Sequence, residues 1–422
     1  MEAVEFRATI PGYLFARSVG RLRQSAPFGR FGTVSLGDRP EPGLPGPDWV
    51  LLDVQGCGLC GTDVSVAAYT FSLTLEPFSS FPAVLGHEIL ARVAEAGSAA
   101  GGLEVGQRVA VDPMIGCAVR GHPEPCRACA AGQPPLCARS GDSGSIEIDG
   151  RPMRPGTALG FHADLPGGFT SRIVAHRSQV HPVPDGIPDD VAVLTEPLSI
   201  GVHGVVRTAP HAGPVLVIGS GPIALATVWA LRCSGYDGEI VCQTKRPTEA
   251  ALARRLGATT TVTPGDHARR ALEATGARSY DPMLGPEVFA GGGFPCVFDG
   301  VGTRSSLHQA LRSCAAGGRV IVLGCAGVVP DLDLTLLWAR QLTVQGYYGY
   351  GLETWEGTSL HTYEITYRWM QGSPAGLGDF VTHRFPIRDY RHALRAATSR
   401  ASSGAVKVIL QPGRPGRQPR SR

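Results

Sequence analysis

Side chains able to grip a metal or move a proton cluster in two short stretches. "GCGLCGTD" (56–63) holds Cys57, Cys60, Thr62 and Asp63, and "GHE" (86–88) holds His87 and Glu88. Further along, "LTEPLS" adds Glu196. The C-x-x-C pair is open to four readings: a redox dithiol, half of a zinc site, a disulfide, or one working thiolate beside an idle neighbour. Thiolate, imidazole and carboxylate together suit a four-coordinate zinc with one open position. Such an ion can take an alcohol oxygen and lower its pKa from about 16 towards 7, as it does for water. The resulting alkoxide is a good hydride donor.

A second cluster, "CAVRGHPEPCRACAAGQPPLC", carries Cys117, Cys126, Cys129 and Cys137. Four thiolates fit a closed tetrahedral zinc site that ties down a loop with no core of its own. Free surface thiols are the plain alternative, and His122 is a substitute ligand. The other five cysteines (Cys233, Cys242, Cys296, Cys314 and Cys325) are scattered among apolar runs and read as small buried hydrophobes. Eleven cysteines behind an N-terminus with no apolar leader segment predict a reducing, cytoplasmic setting rather than a disulfide framework.

These residues need elements to hold them. Up to about residue 200 the chain shows short strand-like runs broken by Gly and Pro, such as "WVLLDVQG" and "EILARVAEAG". The character changes at "PVLVIGSGPIALATVWALRCSG", where apolar strands begin to alternate with short helices, the sign of a parallel doubly wound sheet. After about residue 345 the pattern loosens, with a helix at "TYEITYRWMQG" and a last strand at "AVKVIL". The expectation is an α/β protein in two parts. Residues 1–200, completed by 345–410, form a β-rich domain; 201–344 form a dinucleotide-binding domain; 411–422, rich in Pro, Gly and Arg, form a disordered tail.

"VLVIGSGPIA" places Gly219, Gly221 and Ala224 in a G-x-G-x-x-A array, with Pro222 and Ile223 between, after a strand and before a helix. Gly219 permits the tight turn, Gly221 lets the backbone approach a pyrophosphate, and Ala224 allows close helix–strand packing. The helix N-terminus then meets the anion. At the end of the second strand, where a carboxylate would accept the 2′-hydroxyl of NAD(H), stand Thr244, Lys245 and Arg246. A hydroxyl followed by two cations suits a 2′-phosphate, so NADP(H) is favoured over NAD(H).

A net charge of +3 gives no reason to expect nucleic acid or a membrane surface as partner, and no apolar run is long enough for a spanning helix. A hydrophobic content of 43% is ample for packed cores, while 56 Gly and 34 Pro suit turns and strands.

In combination, C-G-T-D, G-H-E, the four-cysteine lobe, E-P-L-S, the glycine turn, and "VFDGVG" followed by "GGRVIVLG" resemble the zinc-containing medium-chain alcohol dehydrogenases over about residues 33–410. The form "EPLS" is similar to the polyol, sorbitol and threonine dehydrogenase branch. The resemblance implies a GroES-like catalytic domain and a Rossmann domain. It also implies hydride transfer between a secondary alcohol or ketone, such as a polyol, sugar or other hydroxylated metabolite, and a nicotinamide cofactor. Cys60 and His87 would be catalytic zinc ligands, Glu88 and Glu196 would compete for a remaining position, Thr62 would take the alcohol proton, and Asp63 would orient His87 from behind. Cys57 would then be a packed small residue.

The pattern also departs from the family. Eight residues separate Cys117 from Cys126 where two are usual, which an insertion explains, and position 123 is Pro. Ser65 stands where some relatives continue a proton relay with His; its hydroxyl, ordered water or a purely structural role are all open. "SYDPMLGPEVFAGGGFP" is longer than usual. His203 reads as a satisfied core histidine, and Tyr347, Tyr348 and Tyr350 as pocket or core aromatics. The resemblance further implies a homodimer or homotetramer joined at the Rossmann sheet edge, with "VVPDLDLTLLW" as the seam. Two other functions remain: a lyase or epimerase holding NAD(P) tightly, and a non-catalytic nucleotide-binding relative.

Overall fold

A computed structural model describes residues 1–22, 26–29, 31–325, 327–373 and 376–413. The chain divides into two compact units, Met1–Glu196 with Val381–Arg422, and Pro197–Phe380.

The first unit is built on one long strand, Trp49–Leu59. Burial alternates through its middle and becomes continuous over Gly56–Leu59, so its last residues are covered on both faces. Strand Glu88–Ala96 pairs antiparallel on one side, with Gly58 opposite Glu88. Strand Lys407–Gln411 pairs antiparallel on the other, with Leu59 opposite Val408. The chain's last strand therefore lies beside the strand that delivers Cys60. Beyond Glu88–Ala96 come Arg108–Val111 and Val180–Pro182, and beyond Lys407–Gln411 comes Val381–Pro386. Trp49, Leu52, Cys57, Ile89, Phe169 and Leu410 belong to one buried apolar cluster. Each such large side chain contributes about 1.5–3 kcal/mol on leaving water, which is what keeps the register from slipping.

The second unit holds a six-stranded parallel sheet in the order Thr260–Val262, Ile240–Gln243, Val215–Ile218, Phe294–Asp299, Cys314–Val322, Thr343–Gly346. This is the doubly wound order, and its direction reverses between Val215–Ile218 and Phe294–Asp299. Both inner strands Val215–Ile218 and Ile240–Gln243 are buried at every residue, as a sheet covered on both faces requires.

The expected α/β fold is present, with one difference in how the chain is apportioned. The loosening pattern returns the chain to the first domain at residue 345, whereas residues 345–380 group with the parallel-sheet unit. Their side chains explain it. Helix Thr362–Gly372 packs Trp369 edge-on against Trp229, and Ser199 and Thr366 share a 2.8 Å hydrogen bond. At the C-terminus, Gln411 ends the last strand rather than opening a tail, and the expectation for 414–422 lies outside the described residues. Among the described residues no helix is long and apolar enough to cross a membrane.

The unusually long stretch before "CVFDGVG" is a small antiparallel hairpin, Arg278–Tyr280 with Val288–Ala290. Met283 and Leu284 at its tip are 96% and 89% exposed, while Phe289 reaches the buried cluster of the unit. Phe289→Ala should therefore lower the unfolding free energy by about 3 kcal/mol. The pair Met283→Ser and Leu284→Ser should change it by no more than about 0.5 kcal/mol. Urea unfolding of both variants checks this, and a large cost at the tip would show that the hairpin is more than an anchored excursion.

Candidate active site

Strand pairing assembles the first donor set. Cys60 follows the last residue of strand Trp49–Leu59 and is the N-cap of helix Gly61–Ala67. Glu88 opens the neighbouring strand, directly after His87. The Cys60 sulfur, a His87 ring nitrogen and a Glu88 oxygen all lie within 4.8 Å of one another.

Asp63, fully buried, ties the two stretches together. Its Oδ2 accepts the Cys60 backbone N–H at 2.9 Å, and its Oδ1 accepts the Gly86 backbone N–H at 3.2 Å. The same Oδ1 lies 3.6 Å from His87 Nδ1, which has no hydrogen-bond partner. Burial opposes a charge on His87, yet Asp63 and Cys60 together hold its pKa well above the usual histidine value. A buried ring with an orphaned nitrogen, facing a thiol and a carboxylate, is a donor set that fits a zinc ion. The Thr62 hydroxyl sits 3.7 Å from the Cys60 sulfur, and Phe161 packs against the His87 ring with centroids 5.2 Å apart. Ser65 is half-buried on the same helix as Thr62. Cys57 is fully buried, and burial, then the charges of Asp63 and Glu88, push its thiol far up. It stays protonated, as a packed small residue should.

One member of this group carries no motif. Lys407, 2% exposed, places its ammonium 2.5 Å from a Glu88 oxygen and 3.4 Å from the Leu59 carbonyl. Burial works against the ammonium, but Glu88, Cys60 and Glu196 raise its pKa above the usual lysine value. The signal in the sequence is a lone lysine inside the apolar strand "AVKVIL". Gly58 makes room for this pair, since a Cβ there would stand 1.8 Å from a Glu88 oxygen. Glu196, 7% exposed in the first turn of helix Thr195–Thr208, is not in the 4.8 Å group.

The second donor set is complete. The sulfurs of Cys117, Cys126, Cys129 and Cys137 all lie within 4.8 Å of one another. The outer part of the insertion, 121–125, lies largely at the surface, so Cys117 reaches the other three while His122 turns its Nδ1 to the Ser145 hydroxyl at 3.0 Å. Backbone N–H groups already point at sulfur: Cys117 N–H at Cys129 and Cys126 N–H at Cys117, both at 3.3 Å. Burial opposes ionisation of Cys126, but such N–H donors bring its thiol down to about 6. Burial, joined by the neighbouring sulfurs, pushes Cys129 and Cys137 up. Four sulfurs so close cannot all ionise alone, which is the state a divalent cation resolves.

In the other unit, strand Val215–Ile218 runs through Gly219 into helix Pro222–Cys233, whose N-cap is Gly221. Gly219 has φ +114°, which a side chain would strain. Ala224 is fully buried; Pro222 and Ile223 are half-buried in the first turn. Thr244 is 1% exposed, leaving Lys245 exposed and Arg246 half-buried. A carboxylate missing from the strand end arrives from the next helix. Glu249, buried, accepts the Ser220 hydroxyl at 2.6 Å and pairs with the Arg246 guanidinium. This link between turn and helix has no sequence signature. His203 is 5% exposed and pairs with Glu353 at 2.5 Å, a partnered interior histidine. Tyr347 packs edge-on to His203, Tyr350 is fully buried with the Tyr363 hydroxyl donating to its own, and Tyr348 is half exposed.

Two family profiles match: the alcohol dehydrogenase GroES-like domain at residues 46–185 and the zinc-binding dehydrogenase domain at residues 222–363. An L-threonine 3-dehydrogenase of Mesorhizobium japonicum is 29% identical over 368 residues, 87% of this chain and 92% of the relative. A protein of Sinorhizobium meliloti 1021 named as a zinc-binding dehydrogenase, solved bound to NADP, is 26% identical with a TM-score of 0.67, covering 97% of this chain and 99% of that one. Galactitol-1-phosphate dehydrogenase of Escherichia coli, 20% identical with a TM-score of 0.69 and covering 98% and 100%, shares the fold. With both profiles matched in chain order, and a relative aligned over 87% of this chain, the chain belongs to the medium-chain, zinc-dependent alcohol dehydrogenase superfamily of oxidoreductases.

Proposed function

We propose that this enzyme transfers hydride between a secondary alcohol and its ketone, with NADP(H) as the favoured cofactor. The observation that carries the reading is the convergence of Cys60, His87 and Glu88 beside the Thr62 hydroxyl. In this reading Cys60 and His87 hold zinc. Zinc there supplies Lewis acidity to the alcohol oxygen, and the nicotinamide supplies the hydride acceptor. Thr62 accepts the alcohol proton, and Ser65 is placed one helical turn on to pass it towards solvent. Asp63 keeps the His87 ring and the Cys60 backbone in position. Glu88 and Glu196 both remain candidates for a further ligand position; Lys407 favours Glu196 by occupying Glu88. Cys117, Cys126, Cys129 and Cys137 hold a structural zinc. The substrate class takes support from the named relatives, since the hydroxyl of threonine is a secondary alcohol. A homodimer or homotetramer joined along the exposed Thr343–Gly346 edge, where Trp338 is 72% exposed, agrees with the same family pattern.

The cofactor preference rests on charge. Where Thr244 leaves no carboxylate, Lys245 offers an exposed cation and Arg246 a half-buried guanidinium that Glu249 holds in place from one side, the other Glu249 oxygen taking the Ser220 hydroxyl. Helix Pro222–Cys233 presents its N-terminus to the pyrophosphate, and Gly219 and Gly221 let the backbone come close.

Four measurements test the reading and the buried pair beside its site. A screen of alcohols and ketones with each cofactor, with zinc counted on the same sample, should find two zinc atoms per chain and turnover of a secondary alcohol. Cys60→Ala should lose one zinc and at least about 1,000-fold in kcat/KM; full turnover would overturn the zinc mechanism. Arg246→Ala should cost about 10- to 100-fold in kcat/KM with NADP(H) and little with NAD(H), the worth of one charge-assisted contact. Equal losses with both cofactors would remove the basis for the preference. Lys407→Met leaves Glu88 buried and unpaired, so urea unfolding should show a loss of about 3–5 kcal/mol, largely restored by adding Glu88→Gln.

A further inference from the structure

The four-cysteine site has a buried cation that none of its motifs announces. Arg120 lies in the stretch between Cys117 and Cys126 and is 0% exposed. The inner part of that stretch is core, with Val119 in the main apolar cluster of the unit, and the outer part is exposed. The Arg120 carbonyl accepts the Ser145 and Ile146 backbone N–H groups at 2.8 and 3.2 Å, which fixes the turn. Its guanidinium donates to the carbonyls of Asp142 at 2.9 Å, Ser140 at 3.1 Å, and Gly156. Nε has no hydrogen-bond partner, and among the described residues no carboxylate forms an ion pair with the guanidinium. Ser140, whose carbonyl Arg120 holds, donates its own N–H and hydroxyl to the Cys137 carbonyl at 3.4 and 2.9 Å, so the guanidinium braces the turn that carries this cysteine. Burial presses against its charge, while Cys137, Asp142 and Cys117 support it.

A guanidinium taken out of water with only neutral acceptors carries a desolvation cost that carbonyl dipoles recover in part. Four thiolates around a divalent cation carry two net negative charges, equally costly beside a protein core. Each cost offsets the other only when the metal-bearing thiolates and the cation stand together. We infer that Arg120 is the built-in counter-charge of the four-cysteine metal site, so that the insertion carrying it couples metal retention to a buried cation. This rests on the reading that the four cysteines bind zinc. In the loaded lobe Arg120 stabilises the thiolates; in the metal-free lobe it keeps only the three carbonyl dipoles and the charge of Asp142 to offset its burial. A guanidinium that merely braced three carbonyls would help both states alike.

The test uses Cys60→Ala chains, so that zinc counts report the lobe alone, with Arg120→Met and Arg120→Gln compared with Arg120. Zinc per chain, its release to a coloured chelator, and melting with and without metal are measured. Removing the cation should speed release about 10- to 100-fold, the worth of one charged contact. It should also lower Tm in the loaded form but leave it level or higher in the metal-free form. Arg120→Gln, which keeps an amide donor for the carbonyls, should release as fast as Arg120→Met and serves if the latter does not fold. Release within twofold of the parent, or equal losses of Tm in both forms, overturns the counter-charge. A parent chain that binds no lobe zinc overturns the metal site itself, and the inference with it.

Discussion

The carboxylate of Asp63 is the constraint on which the active-site side of the molecule depends. Two distant pieces of chain, one ending in Cys60 and one beginning at Gly86, each aim a backbone N–H at it. A buried carboxylate needs such donors, and the donors need it. The result fixes the thiol and the imidazole relative to each other before any ligand arrives. The sheet does the rest, because Gly58 opposite Glu88 sets the carboxylate beside both.

Buried charge is handled the same way at each donor set. Glu88 is answered by Lys407 and the lobe sulfurs by Arg120, in both cases by a cation with almost no exposure. Such arrangements add little net stability, since desolvation consumes most of the attraction. What they add is dependence: remove one partner and the other is stranded. At the nucleotide-binding turn the logic is milder. Glu249 is buried, but it joins a hydroxyl and a half-buried guanidinium, so its effect is to hold the turn against the next helix rather than to neutralise a site.

Chemistry carried by short stretches could be anticipated from the sequence. The Cys60–Asp63 segment, His87 with Glu88, the four cysteines and the G-x-G-x-x-A turn each combine residue types whose spacing along the chain already limits what they can do. The alternation of strands and helices likewise announced the parallel sheet, because a short apolar run and a period of 3.6 are local properties. The assignment of residues 345–380 was not local. It turned on Trp369 meeting Trp229 and Thr366 meeting Ser199, contacts that no periodicity encodes.

The sequence by itself determined which atoms were available: the thiols, the imidazole, the hydroxyl and the glycine that admits φ +114°. Tertiary structure alone decided which charges answer them. Lys407 is 319 residues from Glu88 along the chain and reaches it only because the last strand pairs beside Trp49–Leu59. Arg120 is near its cysteines in sequence, yet whether it faced solvent or the interior depended on the carbonyls of Ser140, Asp142 and Gly156 closing over it. Pairing of this kind follows from sheet register and from what is left in the dark when the core closes, and neither is written in any one segment.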